Sequence, residues 1–358
     1  MADRLRRLCY HASMITIKEI AALAQVSPST VSNVLHGRSH KMMEATLKRV
    51  QTIIREHNYV SNMSGRTLGR YGSKIIAVVM NYTRRNELNA MQDPFLGGII
   101  GTLEHEIRSA GFFLMLYISA DVAESLRMAA SWNAQGLIAI SYNQEHCSHF
   151  IAGAEKLGIP IVFIDAYCAG TGSFYNVGLQ DRRGAFMMTE YLILGGHSRI
   201  AFLGDRTAPI GVDYERFLGY KEALEQYGLA FSPDNYRCVS YRPQERRALL
   251  KAFVETELAT YSALFFTSDY LAADAITFFH DQGIRVPEDI SVCGFDDNIF
   301  AVVVRPKLTT VQQDIAQKAF YAVTQLLTLI RKEPLGQTCI SLPVSLVIRD
   351  SVRTLKTR

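Results

Sequence analysis

The sequence predicts a chain in two parts: an all-α head of three short helices, then a two-lobed α/β core of parallel sheets with flanking helices. Two observations predict it. The apolar pattern switches near Lys74 from helical spacing to short continuous runs separated by helical stretches. The basic charge is concentrated at the front: residues 1–70 hold 11 Lys and Arg against 4 Asp and Glu, a net +7, while the rest hold 27 against 30, a net −3. At 358 residues, 48% hydrophobic and 20% charged, the chain can bury a sizeable core and is neither disordered nor collagen-like. A basic head on a slightly acidic body suits a polyanion partner, although an ordinary solvated basic surface has the same composition.

The head is read first. Ile17, Ile20, Ala21 and Ala24 fall on one helical face. Gln25-Val26 is a tight connection. Ser27-Pro28 then has the form of an N-cap followed by proline at the first helical position, where its missing N–H costs nothing. The second helix is expected to run to about Leu35, with Gly37 ending it. Met43, Leu47, Val50 and Ile54 form the stripe of a third helix. In the second helix Val26, Val31 and Val34 turn inward, so Pro28, Ser29 and Asn33 face out, as on a helix that enters a major groove. An Asn amide reads adenine through paired bonds, while Thr30 and Ser32 are placed to hold phosphates. Arg38, basic and just past the helix end, is counted with them. A plain helical hairpin would share this periodicity.

Residues 62–68 could form one more short helix, far below the length stable alone in water, and Gly65 weakens it further. Residues 69–73 are a linker. Beyond them apolar runs at 75–80, 112–118, 136–140, 161–164, 200–203, 263–266 and 290–294 alternate with helical stretches such as the one marked by Phe95, Ile99, Leu103 and Ile107. Continuous apolar strands between helices imply parallel sheets covered on both faces. Their number implies two lobes, and the cleft beyond the strand ends is the natural ligand site.

Ile17-Lys18-Glu19-Ile20-Ala21, Val26-Ser27-x-x-Thr30-Val31-Ser32-x-Val34-Leu35 and Asn58-Tyr59 resemble the helix-turn-helix head of the lactose-repressor (LacI/GalR) family. The resemblance continues through Gly196-His197-x-Arg199-Ile200, Arg216-x-x-Gly219, Val286-Pro287-Glu288-Asp289-Ile290-Ser291-Val292-x-Gly294-Phe295-Asp296-Asp297 and Pro306-x-Leu308-Thr309-Thr310-Val311-x-Gln313. It implies a DNA-binding domain at 14–60, a hinge helix and linker at 61–72, and a periplasmic-binding-protein-like core at 73–358. The N-lobe is then 73–177 with 312–342, and the C-lobe 178–311 with 343–356. It also implies a homodimeric transcription regulator, expected to be a repressor, on pseudo-palindromic double-stranded operator DNA. In the hinge it assigns Leu68 as a wedge between central base pairs and Arg66 to phosphates. Ser61 and Gly65 replace the common proline and alanine there, which makes the hinge harder to order.

For the small-molecule effector the resemblance points to Phe95, Asp165, Arg216, Tyr241, Ser268, Asp269, Asp296 and Gln313. This set suits a carbohydrate: carboxylates accept from neighbouring hydroxyls, Arg216 donates in a fixed fork, and aromatic rings stack on the apolar face of a sugar. Ser268 stands where asparagine is common, and Gln180, followed by Asp181, where aspartate is common. A purine or other metabolite remains an alternative effector.

Other classes are weaker. A solute-binding protein for uptake would use the same two-lobed core, but the basic head and the lack of an apolar stretch after Arg4, Arg6 and Arg7 argue against it. No apolar run reaches the roughly 18–20 residues of a membrane helix, so a cytoplasmic protein without a membrane partner is expected. Gly97-Gly98-x-x-Gly101 lies within a helical stretch and is not a dinucleotide fingerprint. His146-Cys147-Ser148-His149 fits no common zinc spacing. No P-loop, HExxH or G-x-S-x-G occurs. No enzyme activity, cofactor or metal is expected. The scattered cysteines, Cys9, Cys147, Cys168, Cys238, Cys293 and Cys339, read as reduced thiols. Residues 1–13 precede the usual family start and are a misassigned start or a basic arm. No leucine-heptad tail for a tetramer follows Arg349.

Overall fold

The structure, a computed structural model, describes residues 15–35, 38, 42–57, 59, 72–80, 90–140, 144–167 and 174–355. The chain divides into two compact units, 1–70 and 71–358.

In the first unit, α1 (Ile17–Ala24) opens on a reciprocal cap. Thr16 Oγ1 accepts from the Glu19 amide, and the Glu19 carboxylate accepts from the Thr16 amide at 2.6 Å. Such a cap contributes about 1 kcal/mol. Gln25, at φ 51°, ends the helix in the left-handed region and turns the chain sharply into α2 (Pro28–Leu35). Ser27 Oγ accepts from the Thr30 amide at 3.1 Å, so serine caps and proline leads. α3 (Glu44–Glu56) completes the trio. Ile20, Ala21, Ala24, Val31 and Val50 form its buried centre, with Val26, Val34 and Ile54 packed around them. Met43 departs from the expected stripe. It occupies the N-cap of α3 and is 77% exposed, because an N-cap residue lies off the helical face that meets the core.

The second unit holds two six-stranded sheets. The N-lobe sheet contains β1 (Ile75–Met80), β2 (Phe113–Ile118), β3 (Gly136–Ile140), β4 (Ile161–Ile164), β5 (Asn176–Leu179) and β11 (Cys339–Leu342), in the order β11-β5-β4-β3-β1-β2 and all parallel. The C-lobe sheet contains β6 (Ile200–Gly204), β7 (Tyr236–Cys238), β8 (Ala263–Phe266), β9 (Ser291–Asp296), β10 (Thr309–Gln312) and β12 (Ser345–Val347), in the order β12-β10-β9-β8-β6-β7. β12 runs antiparallel to β10, a common edge addition to a parallel sheet. β1, β3 and β4 are buried on both faces, as their continuous apolar runs require. β2 is not: Phe113 is 59% exposed, because an edge strand has one neighbour and an open flank.

Helices α4 (Pro94–Ser109), α5 (Val122–Ser131), α6 (Gln144–Leu157) and α12 (Ile315–Ile330) cover the N-lobe. Helices α7 (Asp181–Leu194), α8 (Val212–Gln226), α9 (Pro243–Thr256), α10 (Asp269–Asp281) and α11 (Ile299–Val303) cover the C-lobe. The chain passes between lobes after β5, after β10 and after β11. Cys147 lies buried in α6 in a disulfide, contrary to the expectation of reduced thiols; Cys238, Cys293 and Cys339 are free. Its partner lies outside the described residues. Spacing along a chain does not show which thiols the fold brings together. His146 and His149 share α6, and among the described residues no cluster of three metal-binding side chains forms.

α7 and α8 cross at close range. A Cβ at Gly219 would stand 1.9 Å from the Arg182 carbonyl oxygen and 3.0 Å from the Phe186 amide nitrogen, both backbone atoms. Gly219→Ala is therefore expected to force the helices apart at a cost of about 1–3 kcal/mol or more. Differential scanning calorimetry should show a lowered unfolding temperature. An unchanged one would mean that the pair has room to separate.

Candidate functional site

Strand carboxyl ends from both sheets converge on one cavity of about 210 Å³. From the N-lobe come Asp93, Pro94, Phe95 and Leu96, which start α4, and Asp165, which follows β4. The C-lobe provides Asp205 and Arg206 after β6, Val212, Asp213 and Arg216 of α8, and Tyr241 after β7. It also provides Thr267, Ser268, Tyr270 and Leu271 after β8, with Asp296 and Asn298 after β9. Gln313 lies on the passage back to the N-lobe.

A buried polar circuit underlies this surface. Lys318 Nζ, fully buried in α12, donates to both Asp165 oxygens at 2.9 and 2.8 Å and to Gln313 Oε1 at 2.9 Å. Gln313 Nε2 donates to Asp296 Oδ1 at 2.6 Å. Arg216 Nη2 lies 3.7 Å from that same oxygen. Arg216 Nε donates to Asp181 Oδ1 at 2.8 Å and Nη1 to the Thr267 carbonyl at 2.6 Å, with the guanidinium 3.6 Å over the Phe295 ring. The Tyr167 hydroxyl closes the circuit on Asp181 Oδ2, two residues from Asp165.

The local backbone is strained where the cavity needs carboxylates. Asp165 leaves β4 at φ 55° and Asp296 ends β9 at φ 122°. Such conformations cost of order 1–3 kcal/mol each and persist where surroundings enforce them, commonly at binding sites. Burial pushes the Asp296 carboxyl up to about 7, against the pull of Arg216. Burial also raises Asp165, opposed by the Lys318 ammonium. For Arg216 burial works against the charge, but Asp181 and Asp296 outweigh it and raise the pKa. Burial, reinforced by Asp181, keeps the Tyr167 phenol protonated.

Aromatic rings line the same cavity. Tyr241 and Tyr270 lie 5.2 Å apart at 37°. The Tyr241 hydroxyl donates to Asp93 Oδ2 at 2.7 Å, joining the lobes across the cavity mouth. Asp93 Oδ1 meanwhile caps α4, accepting from the Phe95 and Leu96 amides at 3.0 Å. Arg246, buried in α9, holds this wall from behind. It donates to the Ser240 and Tyr241 carbonyls at 3.1 and 2.7 Å, to the Tyr270 hydroxyl at 3.2 Å and to Asp274 at 2.6 Å.

Of the eight effector residues expected from the sequence, the cavity gathers Phe95, Asp165, Arg216, Tyr241, Ser268, Asp296 and Gln313. Asp269 is the exception. It is fully buried beneath the surface, where Oδ1 accepts from Thr310 Oγ1 at 2.5 Å and Oδ2 from the Asn298 amide at 3.0 Å. Burial pushes its carboxyl well above the ordinary range, reinforced by the charge of Asp296. Its place at the start of α10 points it along the helix toward β10. Ser268 caps α10 through the Leu271 amide, and Gln180 is exposed at the start of α7 without a capping bond. Arg216 commits Nε and Nη1 to Asp181 and the Thr267 carbonyl and holds Nη2 3.7 Å from Asp296. Sequence reasoning missed Asp93, Tyr270 and Lys318. Asp93 carried a signal, since Asp-Pro before an apolar helix is a cap followed by a first-turn proline.

On the head, Pro28, Ser29 and Asn33 of α2 and Arg38 beyond its end are exposed, and Thr30 and Ser32, which flank buried Val31, are half-buried. Ser27 Oγ bonds the Ser29 and Thr30 hydroxyls at 2.7 and 2.9 Å, which orders them at the helix start. Arg66 and Leu68 lie outside the described residues.

Comparison with known proteins follows the same division. Residues 16–62 match the family described as bacterial regulatory proteins, lacI family, and residues 189–352 match a periplasmic binding protein-like domain. The chain is 30% identical over 347 residues to the HTH-type transcriptional regulator GalR of Escherichia coli (strain K12), covering 95% of this chain and 96% of that protein. It is 27% identical over 348 residues to the ribose operon repressor of Haemophilus influenzae, covering 96% and 100%. Its fold is that of the lac repressor dimer bound to operator and the anti-inducer ONPF, with a TM-score of 0.82 at 23% identity over 95% of this chain and 99% of that one. With both parts matched in order along nearly the whole of a relative at 30% identity, the chain belongs to the LacI family of bacterial regulatory proteins and is a DNA-binding transcription regulator with an effector-binding core.

Proposed function

We propose that this regulator is a cytoplasmic homodimeric repressor, and that a sugar or sugar derivative in the interlobe cavity sets its affinity for a pseudo-palindromic operator. One observation carries the effector class. Buried carboxylates at the strand ends, Asp165 and Asp296, line a space of about 210 Å³ together with the paired Tyr241 and Tyr270 rings. That volume lies below the roughly 300–1,000 Å³ of sites for drug-sized ligands, so it suits a small metabolite. Acceptor oxygens and aromatic rings in one cavity suit a polyol ring. A ribose operon repressor among the relatives supports the carbohydrate reading. The chain acts by binding rather than catalysis, in keeping with relatives that are transcription regulators.

Two heads would read two half-sites in successive major grooves. Exposed Asn33, Ser29 and Pro28 meet base edges, while Thr30, Ser32 and Arg38 hold phosphates. Hinge segments carrying Arg66 and Leu68 would meet in the minor groove, with Leu68 as the wedge. Ligand in the cavity changes the lobe arrangement and with it the cost of ordering the hinges. Such coupling is typically about 1–3 kcal/mol. The effector class is tested by a thermal-shift screen of sugars and nucleobases against the full chain, because a ligand of the folded state raises its melting point by mass action. Stabilisation by nucleobases alone would refute the carbohydrate reading.

Asp296→Ala should abolish the response of operator binding to the sugar found in that screen and leave sugar-free operator binding intact, as read by fluorescence anisotropy. A retained response would move the site elsewhere. Asn33→Ala should relax the preference at one base position per half-site in a randomised-operator selection; an unaltered preference would count against direct readout by that side chain.

The raised pKa of Asp296, about 7, gives a pH dependence with a defined sign. Below it the folded protein holds a proton that the unfolded chain releases near 4, so this group's contribution to stability falls as pH rises between those values. A carboxylate accepts from two hydroxyls, whereas the protonated acid is a poorer acceptor. Sugar affinity measured by calorimetry should therefore rise from about pH 6 to about pH 8, and Asp296→Asn should flatten the profile. A flat profile in the unaltered protein would sink the acceptor role.

A further inference from the structure

We infer that the cavity accepts uncharged polyols and rejects anions, so that sugar phosphates and sugar acids are not effectors of this regulator. The inference rests on the carbohydrate reading above and narrows it to one charge class.

Acids outnumber bases on the cavity wall. Asp93, Asp165, Asp205, Asp213 and Asp296 line it, against Arg206 and Arg216. The cations near the centre already face carboxylates. Arg216 has 7% side-chain exposure, gives Nε and Nη1 to Asp181 and the Thr267 carbonyl, holds Nη2 3.7 Å from Asp296, and lies over Phe295. Lys318 is fully buried behind the wall, and its three contacts use the three protons of an ammonium. Arg206 is 43% exposed at the rim, 4.0 Å from Asp205.

Helix ends are the second usual seat for a phosphate, since their free amides and dipole attract negative charge. Helices α4, α8 and α10 all begin at this cavity. The chain answers each of them differently. Asp93 occupies the first amides of α4 and the Ser268 hydroxyl caps α10, while α8, which has no side-chain cap, carries two acids, Asp213 and Glu215, in its first turn where an anion would sit. Hydroxyls meet the opposite situation: acceptor oxygens of Asp165 and Asp296 beside the Tyr241 and Tyr270 rings.

A phosphate ester adds a charge of about −1.5 to −2 near neutral pH. One like-charge contact at about 4 Å, at the effective dielectric of a protein site, weakens binding by roughly a hundredfold or more.

Isothermal titration calorimetry on the full chain tests this with matched pairs: glucose, galactose and ribose against their phosphate esters, galactose against galacturonate, and adenosine against adenosine monophosphate. The expected result is that whichever uncharged compound binds, its anionic partner binds at least about a hundredfold more weakly. Inorganic phosphate at millimolar concentration should leave the melting temperature unchanged. Asp213→Asn should narrow the gap between the members of a pair severalfold. An anionic partner that binds as tightly as its neutral counterpart overturns the inference. So does a saturable stabilisation by inorganic phosphate that Arg206→Gln removes, or a gap that Asp213→Asn leaves unaltered. Adenosine binding with no sugar binding would refute the carbohydrate reading alone; rejection of the monophosphate would still support the charge rule, and its acceptance would overturn it.

Discussion

Two buried cations fix the relation between the lobes. Lys318 bonds Asp165 and Gln313, and Arg216 bonds Asp181 beside Asp296. Gln313 and Asp181 are the residues met just after the chain leaves β10 and β5, on two of the three passages between lobes. The circuit therefore runs through the hinge itself. Removing one partner of a buried ion pair costs about 3–5 kcal/mol, because the other charge is left stranded. An enclosed set of this kind holds its geometry closely. The same groups also present Asp165 and Asp296 to the cavity, so the cavity wall and the link between the lobes share atoms.

That sharing gives a physical route for a response. A hydroxyl that takes an acceptor site on Asp296 competes with Gln313 and Arg216, and the effect continues toward Lys318 on one side and Asp181 on the other. The Tyr241–Asp93 bond adds a contact between lobes that a ligand can reinforce or replace. Because Asp93 also caps α4, any change at that bond reaches the first turn of a helix packed on α12. A ligand shifts the balance of arrangements only by its differential affinity for them, and these contacts are where such a difference would arise.

Much of this was legible in the sequence. The uninterrupted apolar runs of β1, β3, β4 and β8 gave themselves away because both faces are buried. β5, β7, β11 and β12 did not: each is three or four residues long and mixed in polarity, and each forms because a neighbouring strand supplies its partners. Of the cavity carboxylates, Asp165 and Asp296 were found through the family resemblance, and Asp93, Asp205 and Asp213 were not. Lys318 was not found, although it falls on the inward stripe of α12 with Ala319, Ala322 and Leu326. A lysine on an apolar stripe asks for a buried acid. Arg246 poses the same question beside Leu250 and Phe253 in α9. Which acid answers is set by segments far away in sequence: Asp165 lies 153 positions from Lys318. Asp269 shows the reverse error, a residue in the right segment whose side chain folds toward Thr310 instead of the cavity.

Magnitudes explain why a small effector can suffice. The coupling expected of such regulators, about 1–3 kcal/mol, changes affinity by roughly 5–150-fold. Breaking the buried circuit outright would cost more than this. A ligand therefore has no need to dismantle it; redistributing a single hydrogen bond, about 0.5–1.5 kcal/mol for neutral partners and up to about 3 where one is charged, is on the required scale. A core held by apolar packing alone would resist deformation as well, but it would give a polyol no group to compete for.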